Sequence, residues 1–78
     1  MLVKIHSKDE NITLDNVMSI FVKNKNDTLE ILSQHQDMVY LASEGAKIEI
    51  KSGEKKEFAV EKSAIISIMN NEVEISMI

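Results

Sequence analysis

The sequence predicts an all-β domain, an antiparallel β-sandwich or flattened barrel of about eight to ten short strands. Apolar residues recur mostly with a period of two, which places alternate side chains on one face of a strand. Clusters of turn-forming residues separate these runs. The chain has 78 residues, which bounds a single domain, 1–78, with a small core, because folding at this size buries only about 60% of the unfolded surface.

Four runs alternate clearly between apolar and polar residues and are therefore predicted to be half-buried strands. In chain order they are Val3–Ile5, Ile48–Ile50, Phe58–Val60 and Val73–Met77. Lysine, glutamate and serine fill or flank the polar positions.

The stretch Ser33–Ala42 admits either a helix or a strand. Its residues Met38, Val39 and Leu41 would form a poor apolar stripe on a helix. Tyr40 is a residue type enriched in strands. A strand is therefore favoured here.

The turn clusters fix where the strands end. They are Ser7–Asn11, Asp15–Asn16, Asn24–Asp27, Ser52–Glu54 and Asn70–Glu72. Ser52-Gly53 and Asn70-Asn71 are the best hairpin turns, because Gly and Asn tolerate the positive φ that two-residue loops need.

Two segments offer apolar groups to both faces, Val17–Val22 and Ala64–Met69. One explanation is a central position in the sandwich with cover on both sides. The other is that one face docks a partner protein, because a small monomer rarely leaves a large apolar patch uncovered.

Composition excludes several function classes. The net charge is −4, and all nine cationic side chains are lysine, so the chain lacks arginine, the residue best suited to bidentate phosphate and guanine contacts. We therefore expect no nucleic-acid partner. The chain has no cysteine, which rules out disulfides and thiolate zinc sites.

No targeting or membrane segment is visible in the sequence. Met1–Ile5 leads directly into a strand pattern, without the features of a signal or transit peptide. No apolar run approaches the roughly 20 residues that span a bilayer. We expect a soluble chain without direct membrane insertion.

Candidate catalytic and metal-binding residues are few. Ser33, His35 and Asp37 would share one face of a strand, but no glycine-bearing elbow or helix start accompanies them to supply an oxyanion hole. His6 and His35 lack the spacing of metal ligands. The sequence therefore predicts no enzyme, metal site or cofactor.

The stretch Thr28–His35 is a strand-like run that ends at a lone histidine, and Gly45 follows before further short alternating segments. This order resembles the pattern Gly-x-x-Gly-Ile-Leu-Pro-x-His of the epsilon subunit of F-type ATP synthases. Ile31, Leu32 and His35 match that pattern, whereas Asp27, Glu30 and Ser33 replace its Gly, Gly and Pro.

The resemblance covers the family's N-terminal β-sandwich domain. Leu41–Gly45, Phe58–Val60 and Asn71–Ile75 look like later segments of that domain, while Lys62–Ala64 replaces a usual Gly-Gly-Phe. The family's C-terminal helical hairpin has no counterpart within these 78 residues. The family implies a ten-stranded sandwich.

The resemblance also implies a function. It indicates a non-catalytic central-stalk subunit that couples the gamma subunit to the membrane c-ring on the cytoplasmic side of a bacterial inner membrane. Carried over by position, Asp27, Thr28 and His35 would face the c-ring. Met38 and Tyr40 share a face by alternation, and the apolar body and polar tip of a tyrosine suit the gamma interface.

Two alternatives remain open. The first is an autonomous β-sandwich interaction module unrelated to ATP synthase. The second is a carrier domain modified at Lys47, since Glu44–Ile50 is similar to the lysine region of lipoyl and biotinyl domains. Lys47 lies within an alternating strand and lacks the carrier motif around it, so a solvent-facing lysine is favoured.

Overall fold

The computed structural model describes all 78 residues, as nine β-strands and no helix. The strands are β1 (Leu2–His6), β2 (Asn11–Leu14), β3 (Ser19–Lys23), β4 (Thr28–Leu32), β5 (Met38–Ser43), β6 (Lys47–Ser52), β7 (Glu54–Ala59), β8 (Ser63–Met69) and β9 (Glu72–Met77). The predicted all-β class is confirmed. The helix considered for 33–42 does not form, because β5 occupies its second half.

The strands form two sheets. The five-stranded sheet has the order β2-β1-β9-β8-β5, and the four-stranded sheet has the order β4-β3-β6-β7. Every pair is antiparallel except β1 with β9, which run parallel. The sandwich therefore has nine strands where the family implies ten.

The core lies between the two sheets and consists of sixteen buried apolar residues. Isoleucine supplies most of the large side chains, and they stack in rows across the sheets. Ile20 of β3 lies between Ile31 and Ile50 of its neighbours, and Ile66 of β8 lies opposite Ile75 of β9. Each fully buried isoleucine stabilises the fold by about 1.5–3 kcal/mol.

Hairpin turns form at both predicted places, but only Asn70-Asn71 is a two-residue loop, since the β6–β7 turn is centred on Gly53 alone. Asn70 and Asn71 have φ of 50° and 61°, so the β8–β9 turn has positive φ at both central positions, as a type I′ turn requires. Gly53 has a φ of 89° between β6 and β7. These turns set the register of their strand pairs, with Met69 opposite Glu72 and Ser52 opposite Glu54.

The connections gather at two opposite ends of the sandwich. The end that holds the β3–β4 turn also holds the β5–β6 turn, and Ser43 N donates to Asn24 Oδ1 there at 3.1 Å. We call it the Asp27 end. The other holds the β4–β5 loop and the β8–β9 turn, where Gln34 N donates to Asn71 Oδ1 at 2.8 Å. We call it the His35 end.

The two segments with apolar groups on both faces become central strands. β3 lies between β4 and β6, and β8 lies between β9 and β5. On β8, Ala64, Ile66 and Ile68 are buried in the core, while Ile65 and Met69 point outward and remain exposed. Nothing in the chain covers the outer face of β8.

Candidate interaction surface

An uncharged apolar surface lies on the outer side of the five-stranded sheet. It comprises Val39 and Leu41 of β5 with Ile65 and Met69 of β8, and their exposed fractions are 66%, 67%, 39% and 58%. Leu41 lies directly opposite Ile65 in the antiparallel register. We call these four residues the apolar face. The other outward positions of β5 and β8 are serines, and the apolar face ends at β9, where Glu72 lies opposite Met69 and Glu74 lies opposite Ser67.

The outer side of the four-stranded sheet is different, because charged residues dominate its β6 and β7 strands, although Leu32 of β4 is also exposed there. The outward positions of β6 are Lys47, Glu49 and Lys51, and β7 adds Lys55 and Glu57. Solvated charges of this kind are typical of a face that stays in water. The contrast between the two sheets identifies the apolar face as the candidate interaction surface.

Glu49 is held between two lysines on that charged side. Its carboxylate forms salt bridges with Lys23 Nζ at 3.1 Å and with Lys55 Nζ at 3.1 Å. The hydrogen bond from Lys23, followed by that from Lys55, lowers the pKa of Glu49 below its ordinary value of 4.5. The ionised carboxylate therefore stabilises the folded chain.

A pH dependence follows from this lowered pKa. The contribution of Glu49 is present at neutral pH and is lost as the pH falls through the folded-state pKa, below 4.5. Glu49→Gln should therefore lower the free energy of unfolding by more at about pH 7 than at about pH 3. Urea denaturation at both pH values checks this. An equal loss at both would show that the carboxylate charge does not stabilise the fold.

Met38 and Tyr40 lie on the inward side of β5. Both are half-buried and pack against the core, and their neighbours Val39 and Leu41 take the outward positions. The prediction that Met38 and Tyr40 share a face agrees with the strand geometry. That shared face is turned toward the core. Sequence reasoning did not single out Val39 and Leu41. The signal available was that β5 has no charged residue, so whichever of its faces points outward is uncharged and largely apolar.

The hydroxyl of Tyr40 joins a small polar network at the Asp27 end. Tyr40 Oη donates to Asp27 Oδ2 at 2.9 Å and accepts from Asn24 Nδ2 at 2.7 Å. Burial, followed by the hydrogen bond to Asp27, raises the pKa of Tyr40 above its ordinary value of 10.0. The network fixes the Asn24 carboxamide against β5.

The residues expected to face the c-ring do not lie together. Asp27 and Thr28 are at the start of β4, whereas His35 follows its last residue, Leu32. Four steps along a strand separate the two ends of β4 by about 13 Å. Asp27 and Thr28 therefore belong to the Asp27 end and His35 to the opposite end, so one flat contact at an end of the sandwich cannot include all three.

The polar side chains of the His35 loop hold that loop in place. His35 Nδ1 lies 2.8 Å from the carbonyl of Gln36, Ser33 Oγ donates to Asn71 Oδ1 at 3.3 Å, and Asp37 Oδ1 accepts from Asn70 N at 3.0 Å. Each of the three residues weighed as a catalytic set thus bonds to a different group. Ser33 and Asp37 attach the β4–β5 loop to the β8–β9 turn, whereas His35 bonds within its own loop.

Lys47 and a metal site were the other candidates weighed from the sequence. Lys47 is the exposed first residue of β6 and follows a connection between two different sheets, not a hairpin tip. The structure has no group of three or more His, Asp or Glu side chains placed to hold a metal ion. No helix of sufficient length and apolarity to cross a membrane occurs in it.

Comparison with solved structures identifies where else this fold occurs. A chain in the cryo-EM structure of the central stalk and c-ring of the Tetrahymena thermophila mitochondrial ATP synthase matches with a TM-score of 0.83 and 17% identity. The match covers 100% of this chain and 63% of that one. The chain has the fold of an ATP synthase chain. The resemblance predicted from the sequence is therefore confirmed at the level of the fold.

A second match supports the same conclusion. A chain in the cryo-EM structure of the Euglena gracilis mitochondrial ATP synthase, showing OSCP, F1 and c-ring, has a TM-score of 0.81 and 18% identity over 96% of this chain. This chain spans only 48% of the Euglena chain. No protein-family model matches the sequence, and no curated protein matches it either.

Proposed function

We propose that this chain is a non-catalytic central-stalk subunit of an F-type ATP synthase, of the epsilon type, that joins the gamma subunit to the c-ring. The observation that carries the proposal is the match in fold over 100% of the chain to an ATP synthase structure of the central stalk and c-ring. The uncovered apolar face gives such a subunit a surface for a permanent partner.

The gamma subunit is the proposed partner of the apolar face. A lasting protein interface needs a desolvated apolar centre, and Val39, Leu41 and Ile65 supply adjacent exposed side chains without charge. Met38 and Tyr40 would contribute indirectly, because their packing against the core holds β5 in the position that exposes Val39 and Leu41. The gamma contact is thus assigned to the outward residues of the same strand.

The Asp27 end is the proposed contact with the c-ring. Asp27 and Thr28 lie there, beside a group of polar residues that includes Lys25 and Glu44. His35, at the other end, would then face away from the ring. The subunit would transmit rotation mechanically and take part in ATP synthesis and proton transport only through the complex. We place it on the cytoplasmic side of a bacterial inner membrane, peripheral through the complex.

Cysteine crosslinking can test these assignments, because the native chain contains no cysteine. We would introduce Leu41→Cys, Thr28→Cys and His35→Cys singly and oxidise the assembled complex with matching cysteines in gamma and in the c-ring loop. Leu41→Cys is expected to link to gamma, Thr28→Cys to the c subunit, and His35→Cys not to c. A link from His35→Cys to c, with none from Thr28→Cys, would reverse the orientation of the sandwich.

An autonomous interaction module is the second candidate. It is favoured by the lack of any matching family model or curated protein, since a shared sandwich can serve unrelated partners. The two candidates differ in one measurable property. A module outside ATP synthase would keep a different partner on the apolar face and would be missing from the purified synthase.

A further inference from the structure

The edge strands β7 and β5 are not equally protected, and β2, the other edge of the five-stranded sheet, is uncharged but only four residues long. β7, at the edge of the four-stranded sheet, carries four charged residues in succession, Glu54, Lys55, Lys56 and Glu57. β5, at the edge of the five-stranded sheet, has six residues without a charge. Charged side chains are a common means of preventing an edge strand from pairing with another chain. β5 lacks this protection.

The free peptide groups of β5 can be assigned from its hydrogen bonds. β5 pairs with β8 alone, so alternate residues turn their N–H and C=O groups to the open edge. The Asn24 carboxamide meets that edge, with Oδ1 accepting from Ser43 N at 3.1 Å and Nδ2 reaching Leu41 O at the long distance of 3.5 Å. Because these groups alternate along the strand, the N–H and C=O of Val39 and the N–H of Leu41 also point to the open edge.

Asn24 therefore bonds to the edge of β5 as the peptide group of a neighbouring strand would. Tyr40 and Asp27 hold this carboxamide in position through the network at the Asp27 end. It covers Leu41 O and Ser43 N and leaves the Val39 part of the edge uncovered. That open part borders the apolar face, because the side chains of Val39 and Leu41 belong to both.

We infer that an extended segment of the stalk partner adds as a sixth strand to the five-stranded sheet along β5. This inference rests on the proposed function, which supplies gamma as the partner. Backbone groups of the added strand bond to Val39 N, Val39 O and Leu41 N. Its apolar side chains on the outer side extend the apolar face, as in other cases where a peptide joins a sheet edge. Asn24 limits the pairing to the Val39 part of β5.

The test removes one N–H and keeps an apolar side chain. Val39→Pro deletes the outward N–H without breaking a bond to β8, and proline is tolerated at the solvent side of an edge strand. The probe is the purified gamma subunit of the same organism, titrated by calorimetry against the full chain. Val39→Pro is expected to weaken binding at least tenfold, while Val39→Ala, which keeps the N–H, should weaken it less.

A matched control lies on the protected edge. Val60 bonds to residues 45 and 46, so alternation turns the N–H of Glu57 outward on β7. Glu57→Pro should bind gamma like the wild type, and its melting temperature shows the cost of proline in an edge strand. Hydrogen exchange of the wild-type chain gives a second measurement, in which gamma should slow exchange at Val39 and Leu41 but not at Glu57.

The possible results of these experiments distinguish failure of the added-strand inference from failure of the proposed stalk function. Binding of gamma that Val39→Pro leaves unchanged, without slower exchange at Val39 and Leu41, overturns the added strand but not the stalk role. No binding of gamma by the wild-type chain overturns both. A dimer of the free chain that Val39→Pro dissociates also contradicts the inference, since the edge would then belong to a second copy.

Discussion

Replacing Ile65 by aspartate is expected to remove binding to the gamma subunit and leave the fold intact. Ile65 occupies the centre of the apolar face opposite Leu41, and 39% of it is exposed in the free chain. An unpaired carboxylate at the centre of a desolvated interface costs about 2 kcal/mol or more, which corresponds to a loss of affinity of roughly 30-fold or more. Calorimetric titration with purified gamma measures this loss.

The control for this variant is Thr13→Asp. Thr13 is exposed on the same outer side of the same sheet, but on β2 at the opposite edge, where its strand partner is Lys4. It should bind gamma like the wild type. Both variants should remain within about 1 kcal/mol of the wild type in free energy of unfolding, the usual range of strand propensity. Equal binding by Ile65→Asp and Thr13→Asp would show that gamma does not use the apolar face.

Replacing Tyr40 by aspartate is expected to have the opposite profile, with a large loss of stability. Tyr40 packs its ring against the core, and its hydroxyl bonds to Asn24 and Asp27. The substitution removes an aromatic ring, leaves a gap and puts a second carboxylate near Asp27. Removing a fully buried aromatic ring costs about 3–5 kcal/mol, so removing the half-buried ring of Tyr40 together with its hydrogen bonds should still cost a large part of the stability of so small a domain. Urea denaturation checks the result.

Tyr40→Phe separates the hydroxyl from the ring. Losing two hydrogen bonds should lower the free energy of unfolding by about 1–3 kcal/mol. Because the pKa of Tyr40 is raised in the folded chain, the wild type should lose this advantage as the pH rises above 10.0. If Tyr40→Asp instead keeps its stability and loses only gamma binding, Tyr40 is an interface residue, as the sequence alone predicted.

The sequence predicted the strands and turns because both depend on local patterns. Alternation in Val73–Met77 and the positive φ tolerated by Asn70 and Asn71 were sufficient to place β9 and its hairpin. The pairing of β1 with β9, parallel and distant in sequence, has no such local signal. The fold resemblance came from a few residues around His35 and was confirmed by structure comparison.

The candidate surface was harder to predict because β5 is apolar on both sides. Its register decides whether Met38 and Tyr40 or Val39 and Leu41 face the core, and a shift of one residue exchanges the two sets. The pairing of Tyr40 with Ile66 in β8 settles this, and nothing within 38–43 does. The positions of Asp27 and His35 at opposite ends likewise follow from the length of β4, which a motif match does not use.

The most direct measurement of the central claim is the subunit composition of the intact ATP synthase from the source cells. The complex would be purified through a tag on its beta subunit, and this chain would be quantified against gamma by mass spectrometry. Membership in the central stalk predicts one copy of the chain for each gamma. A purified complex that contains gamma and the c-ring but lacks this chain, although the chain is abundant in the same cells, would contradict the account.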